Sequence, residues 1–487
     1  MKGALTPILS LVPMLILLAL TSGCGNRPEP APKSLPVVRA GCQGCHADVL
    51  DASHAMPCTD CHAGDNTATA KFLAHQGLLA RPAHPDSMGK VCGPCHVEMV
   101  TTVATSLHFT LKKEVNLVRQ AFGAREELAA LTDIPPAAAG HGPLALADDL
   151  LRRRCLRCHL YSPGDDYPET HRGTGCAACH LSFAGGRLES HAFVRAPADR
   201  QCLHCHYGNR VGADYYGRFE QDLNAEYRTP FRPGDPLSRP YGVEFHQLAP
   251  DVHKSAGLAC IDCHPGSQLM AQAAGPACAT CHRLDQARVA RLANLTVRDN
   301  RVFIIAKLTG KQLEAPLATD PAHARFGATT DCLVCHAQWS FQDQATHLLR
   351  LDNADYAPWE YLTVQGSSAV EQLLTRGLET SNVEPVMADG ISGAIRPGIW
   401  LKGYAQRRWA DPLIGADTNG RLRIFRPLLD LSLSHVEEAG EVTVDGVRST
   451  AASQGFRAYT PHTVGRAGLF FRQRLTPNCP PPAPPTP

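Results

Sequence analysis

"GCQGCHADVLDASHAMPCTDCHAGD", Gly41 to Asp65, holds two Cys-x-x-Cys-His units, Cys42/Cys45/His46 and Cys58/Cys61/His62, with a further histidine, His54, between them. The unit returns at Cys92/Cys95/His96, Cys155/Cys158/His159, Cys176/Cys179/His180, Cys202/Cys205/His206, Cys260/Cys263/His264, Cys278/Cys281/His282 and Cys332/Cys335/His336. Nine copies take up eighteen of the twenty cysteines. Random placement at the chain's own Cys and His frequencies yields roughly 0.04 copies, which removes chance as the origin.

The spacing has a chemical reason. Residues i and i+3 share one face of a helical turn. Two thiols so placed can form thioethers with the two vinyl groups of one porphyrin while the next residue, histidine, reaches the iron, and this is c-type haem attachment. Two other uses of Cys-x-x-Cys compete. Zinc knuckles pair thiolates across two knuckles and have no use for a histidine after every second cysteine. A redox-active disulfide repeated nine times in one chain has no evident purpose. The expected cofactor is haem c, nine copies, covalently bound.

Each iron has a sixth position. Fourteen histidines lie outside the motifs, and there are only seven methionines, two of them near the N-terminus. Most sites are therefore expected to be bis-histidine and of low potential, since methionine ligation raises the potential. The nine expected distal ligands are His54, His75, His108, His141, His171, His191, His246, His253 and His323. His54, His171, His253 and His323 shortly precede a cysteine pair, and His54 is expected to close one of the two sites of the opening stretch. His84 is held in reserve, while His204, His347, His435 and His462 are assigned to structure or surface.

Composition carries a different message once the cofactors are counted. The chain of 487 residues has a formal charge of +1. Each ferric haem adds about −1 through its propionates, so the loaded protein is expected to be net negative by roughly 8, and no nucleic-acid partner is expected. Aromatic residues are only 6%. Residues 42 to 336 leave about 33 residues per motif, too few for a conventional core around each. The haems themselves are expected to be the core, with folding dependent on their attachment.

Other segments organise the chain. Residues 1–23, with the apolar run "LTPILSLVPMLILLAL", read as a signal peptide, and "TSGC" resembles a lipoprotein cleavage box that leaves Cys24 as a lipid anchor. Residues 24–40 read as a Pro-rich tether. Residues 41–140 form a three-haem region and 141–336 a six-haem region. The motifs fall as pair then single, starting at Cys42, Cys155 and Cys260, which points to a three-haem unit used three times. From 337 to 476, "IWLKGYAQRRW", "RLRIFRPLLDLSLSHV" and "GEVTVDGVR" alternate with period two, as strands do. Trp339, Trp359, Trp400 and Trp409 fall in this stretch and are expected to pack inside it. Residues 477–487, with a solitary Cys479, read as a disordered Pro-rich tail. The expected fold is thus a multihaem cytochrome c, mostly short helices and irregular loops wrapped around nine haems, followed by a smaller β-rich haem-free module.

"CTDCHAGD", "HRGTGCAACH", "CLHCHYGNRVGADYYGRFEQD", "ACIDCH" and "CLVCHAQWSFQD" resemble the secreted multihaem c-type cytochromes of metal-reducing bacteria, including lipoprotein cytochromes associated with extracellular respiration and with selenite or tellurite reduction. The resemblance spans roughly residues 41 to 476. It implies an electron conduit without identifying a terminal acceptor. It also implies export, lipid anchoring to the outer membrane on its periplasmic or cell-surface face, and redox partners such as other cytochromes or an outer-membrane porin complex. The strand-rich module could dock such a partner or stack copies into a homo-oligomer or filament. "YTPHTVGRAG", Tyr459 to Gly468, resembles a lead-in that relatives place before another haem motif, which is missing here.

Two function classes follow. An electron carrier needs only closely spaced six-coordinate haems. A multihaem reductase of nitrite, hydroxylamine, tetrathionate or selenite/tellurite needs one iron with an open axial position and groups that supply protons. The chain has no Cys-x-x-Cys-Lys variant, and the surplus of histidines favours the carrier.

Overall fold

The computed structural model describes residues 41–136, 142–207, 211–221, 244–271, 275–290, 292–344, 346–360, 365–403, 406–427, 429, 431–449, 455–467 and 474–475. The leader, Cys24 and its tether, His141 and the tail with Cys479 lie outside these residues. No helix among the described residues is long and apolar enough to cross a membrane.

Short helices dominate the motif region, and several of them begin at or next to a motif cysteine. Cys42–Cys45, Cys58–His62, Cys260–Cys263, Cys278–His282 and Cys332–His336 are each about one turn, while Gly93–Ala104, Ala177–His180 and Asp199–His206 carry three further motifs. One turn of α-helix brings i and i+3 onto one face, so the two thiols of each unit project together. The fourth motif differs. Leu151–Cys155 is a π-helical turn and Leu156–Cys158 a 3-10 turn, so Cys155 and Cys158 straddle a change of helical pitch.

Between residues 41 and 110 the buried apolar side chains are Ala83, Met88 and Val103. Val49, Phe72, Val97 and Met99, all near motifs, are 63–82% exposed. A stretch of this length with so little buried apolar surface cannot offset the entropy of ordering itself.

The main hydrophobic core lies further along and joins distant parts of the chain. Val115, Leu131, Ile134, Leu150 and Leu151 pack with Leu348, Trp359, Leu374, Ile399, Trp400 and Leu433. A four-stranded sheet supplies much of it, in the order Ile399–Lys402, Thr346–Leu351, Leu431–Val436, Val442–Arg448. Its two central strands are parallel, which requires a long crossover. That crossover includes the helix Ser368–Glu379, whose Val370, Leu373 and Leu374 form the buried i, i+3, i+4 stripe. The period-two runs read from sequence are therefore strands, and Trp339, Trp359 and Trp400 are buried as expected.

Strands are not confined to the C-terminal part. Leu295–Arg298, Arg301–Ile305 and Gln312–Ala315 form an antiparallel sheet between the eighth and ninth motifs, with its own core of Leu292, Leu295, Val302 and Ile304. Asp262 fixes it to the seventh motif by accepting from Lys307 N–H at 2.8 Å and from Ala259 N–H at 2.8 Å.

The π-helical turn before the fourth motif is clamped to the strand-rich part by successive arginines. Arg152 forms a two-point ion pair with Asp389 at 2.6 and 3.0 Å. Arg153 reaches Asp149 at 3.3 Å and donates to the carbonyls of Pro397, at 2.9 Å, and Gly398. Arg154 donates to the Gln365 carbonyl. Trp400 Nε1 donates to Asp149 at 2.8 Å. The Arg152 and Arg153 charges are buried and paired with carboxylates, the arrangement in which breaking one partner is costly.

Candidate metal centres

Sites are numbered here by motif order. At seven of them the motif imidazole faces one other histidine. His46 faces His75 at 6.1 Å between ring centres, His62 faces His191 at 6.2 Å, and His96 faces His54 at 6.2 Å. His206 faces His108 at 6.1 Å, His264 faces His462 at 6.3 Å, His282 faces His253 at 5.9 Å, and His336 faces His323 at 6.0 Å.

This separation has a simple arithmetic. A metal–nitrogen bond of about 2.0 Å plus about 1.1 Å from nitrogen to ring centre, doubled, places two imidazole centres about 6.2 Å apart across one metal. Direct imidazole contact would be nearer. Among the described residues no group of three or more His, Cys, Asp or Glu side chains converges to hold a metal. Two axial nitrogens with no further protein donors suit a metal whose other four ligands come from a macrocycle, whereas a zinc knuckle needs a full protein set.

The ring nitrogens are assigned by their other partners. Nδ1 of His62, His180, His282 and His336 donates to the carbonyls of Leu79, Val194, Pro316 and Gly465 at 2.7–3.0 Å, and that of His264 to Gln268 Oε1 at 2.8 Å. On the opposite side Nδ1 of His54 and His253 meets Asp51 and Asp251 at 2.9 and 2.8 Å, while Nδ1 of His191 lies 3.0 Å from Asp48 without hydrogen-bond geometry. His108 and His462 use the Leu269 and Thr460 carbonyls at 3.3 and 3.1 Å. An Nδ1 so occupied leaves the Nε2 lone pair for a metal and fixes the ring, the usual outer support of a ligating histidine.

The thiols fit the same group. Cys155 and Cys179 have exposed surface, yet burial pushes Cys155 up to about 12 and Cys179 up to about 11. Glu114 beside Cys155 behaves alike, exposed but with its carboxyl raised by burial. The paired thiols, and the imidazole that follows each pair, fit covalently attached haem.

The thiol of Cys95 is exposed, as is that of Cys45. Cys95 stands in the first turn of Gly93–Ala104, followed by Val97 and Met99, which are 70% and 63% exposed. The physical reason is local: the chain between 41 and 110 has too few apolar side chains to cover this side of the third site. The backbone also kinks at His96, φ −120° and ψ 40°, so the thiol of Cys95 and the imidazole after it leave the helix at a bend. Cys95 remains paired with Cys92, to whose carbonyl its N–H donates at 3.2 Å.

Two other expected ligands lie against phenylalanine rings: His171 is 6.2 Å from the Phe183 ring, and His246 stacks on Phe219 at 6.3 Å in the strand Glu244–Gln247. Both are expected from sequence proximity, which says nothing about where strand and turn carry the ring. His54, expected to close one of the two sites of its own stretch, instead faces His96 of the third motif. His462, assigned to structure or surface, instead faces His264. The strand-rich part thus supplies one imidazole and, through Gly465, the carbonyl that orients His336. The only signal that could have revealed His462 was the "YTPH" phrase itself.

His347 and His435 are structural, bound to Ser434 at 2.9 Å and Asp352 at 3.0 Å. His84 lies 5.3 Å from the Tyr161 ring. His204 is 1% exposed with neither ring nitrogen hydrogen-bonded, and burial pushes it down to about 4.

His159 and His180 face no other imidazole among the described residues. His180 keeps the ligand posture. His159 does not: its Nε2 meets the Phe109 carbonyl at 2.7 Å and its Nδ1 accepts from Tyr161 N–H at 3.3 Å. Burial pushes His159 down to about 3. No protein-family model matches the chain, and no curated protein or solved structure is detectably similar to it.

Proposed function

We propose that the chain is an electron-transfer protein of the multihaem c-type cytochrome kind, exported, and anchored to the outer membrane through Cys24. The observation that carries this reading is the set of seven motif histidines, each with a second imidazole 5.9–6.3 Å away. Haem iron bound at such a site supplies one-electron oxidation and reduction.

The chain's own residues do the rest. The cysteine pairs fix each group covalently, so it is not exchanged. The paired histidines would hold each haem iron from two sides, which would keep substrate away from it and favour low potential. The carboxylates of Asp51 and Asp251 hold two of the outer imidazoles in one tautomer and raise their donor strength. The scarcity of buried side chains between residues 41 and 110 supports a fold completed by the bound groups. Other redox proteins, a porin complex or further copies of the chain are the partners this role asks for.

A second reading, a reductase of a small oxyanion or nitrogen compound, draws on the fourth and fifth sites, where His159 and His180 lack an opposing imidazole among the described residues. Low-temperature EPR of the oxidised protein, quantified against pyridine-haemochrome content and repeated with nitrite, hydroxylamine, tetrathionate and selenite, separates the two. Nine low-spin irons unaffected by all four support the carrier. One high-spin iron that shifts on addition supports the reductase, and the absence of haem sinks both.

A further inference from the structure

Thiols of different motifs meet in pairs, and each meeting fixes a neighbour relation. Cys42 lies against Cys58, Cys92 against Cys176, Cys202 against Cys260, and Cys278 against Cys332. Cys61 is near Cys92, Cys179 near Cys202, and Cys263 near Cys281. The cysteines of the fourth motif join at one place, where Cys158 lies against Cys205 of the sixth. A thioether sits on the edge of its macrocycle, so thiols that touch mark groups whose edges adjoin.

Contacts that involve no thiol agree. Gly175, at φ +54°, runs so close to the third-site segment that an added Cβ would overlap the Ala83 carbonyl oxygen. This joins the third segment to the fifth directly. His159 meets the Phe109 carbonyl at 2.7 Å, and the residue before it, His108, is the imidazole that faces His206. The fourth motif therefore abuts the outer ligand of the sixth site. The Asp199 carboxylate, at the start of the sixth-motif helix, accepts from Cys260 N–H at 2.7 Å and ties the sixth site to the seventh.

We infer that the nine sites form a line of eight, in the order first, second, third, fifth, sixth, seventh, eighth, ninth, with the fourth attached to the sixth as a branch. The inference rests on the haem reading above. Its consequence is a molecule with three redox ends instead of two: electrons cross from the first to the ninth site without visiting the fourth, and the fourth is a side terminus held against the main hydrophobic core. Several contacts also keep the fourth segment beside the fifth: Gly175 N–H donates to the Leu160 carbonyl at 2.8 Å, and Arg172, just before the fifth motif, donates to the carbonyls of Pro163, Arg157 and His159 at 2.9–3.1 Å. The thiols that meet are nevertheless Cys158 and Cys205.

Iron-edge anomalous diffraction from the haem-loaded full chain tests the order without any variant. The expected result is that the iron held by the Cys155/Cys158 unit has the sixth iron as its nearest neighbour, with the third and fifth irons adjacent to each other. A fourth iron between the third and fifth, or nearer the fifth than the sixth, overturns the branch. Coulometry adds an independent reading, with the protein tethered to an electrode through Val49→Cys, at an exposed position beside the first site. Paired Cys155→Ala/Cys158→Ala should lower the rapidly reducible iron count by one. Paired Cys176→Ala/Cys179→Ala should leave only the irons of the first three sites rapidly reducible. Equal losses in the two variants overturn the branch. Intact mass reports the haem number throughout, so a chain carrying no haem fails the underlying reading and not the order.

Discussion

His54 and His96 face each other with ring centres 6.2 Å apart, although they belong to different parts of the chain and another motif, Cys58/Cys61/His62, lies between them. Asp51 holds His54 in place through Nδ1 at 2.9 Å, and the same carboxylate accepts from Phe193 N–H at 3.0 Å. His54→Ala should leave the haem number unchanged by mass and convert one low-spin iron, the third, to high spin. In a Cys92→Ala/Cys95→Ala background the same substitution should change no remaining EPR signal. A change there would return His54 to the first or second site.

His462 makes a stronger demand, because its partner His264 is far away in sequence and no motif lies near His462. His462→Ala should produce one high-spin iron with the haem number intact, and added imidazole should restore the low-spin signal. A spectrum identical to the unmodified protein would return His462 to a purely structural role.

Asp251 serves two sites at once. Its Oδ1 accepts from the backbone N–H and from Nδ1 of His253 at 2.8 Å each, and its Oδ2 accepts from Val464 N–H at 2.8 Å, two residues past His462. Asp251→Ala removes a helix cap and strands a buried amide, a loss of about 2–4 kcal/mol. It should also disturb the seventh and eighth irons together, whereas His253→Ala should disturb only the eighth. Denaturant unfolding and EPR report the two effects separately.

Trp400 is fully buried and donates its indole N–H to Asp149. Trp400→Ala should cost about 3–5 kcal/mol in denaturant unfolding through the cavity it leaves. Trp400→Phe keeps most of the volume and strands one carboxylate acceptor, so it should cost about 1–3 kcal/mol. If the two variants lost equal stability, the indole would not be filling the core as described.

Acid should release the clamp between Arg152 and Asp389. Burial alone would raise the Asp389 carboxyl, but the Arg152 guanidinium and the N–H groups of Ser392 and Ile391 outweigh it and hold the carboxyl below its usual 3.8. A depressed carboxylate binds fewer protons in the folded state, so its contribution is complete above 3.8 and is lost as pH falls through the folded value. Asp389→Asn should therefore be destabilised by about 3–5 kcal/mol at neutral pH, and its deficit should shrink as the pH is lowered below 3.8. Unfolding midpoints of the two proteins across pH measure the difference, and a constant gap would remove the ion pair from the account.

The distal ligands show where local reading stops. His75, His191, His253 and His323 are expected from sequence and do face motif imidazoles, but the partner of each is legible only when it is near in sequence. His323 and His336 are separated by one helix and a turn, while His191 reaches back past three motifs to His62. His171 stands before the fifth motif much as His253 stands before the seventh, yet only His253 meets another imidazole, because Asp251 caps its helix and aims the ring at His282. Spacing likewise pairs Cys95 with Cys92 but says nothing of its exposure, which depends on what the neighbouring segments have to cover it with. Strands were legible where one face is buried and the other is not. The sheet at Leu295–Ala315 was missed because its short strands lie between two motifs that dominate the local pattern.

By itself the sequence determined the local pattern: which cysteines fall three apart, which histidine follows each pair, and that period-two strands follow the last motif. These are properties of neighbouring residues, fixed by the bond lengths of one helical turn or one pleat. The tertiary structure alone decided which imidazole opposes which, that the strand-rich part completes the seventh and ninth sites, and that the fourth motif adjoins the sixth. Those relations join residues tens to hundreds of positions apart, and chain spacing places no bound on them. They are set by packing, by the buried Arg152–Asp389 pair and core around Trp400, and by carboxylates such as Asp51 and Asp251 that each hold two segments together.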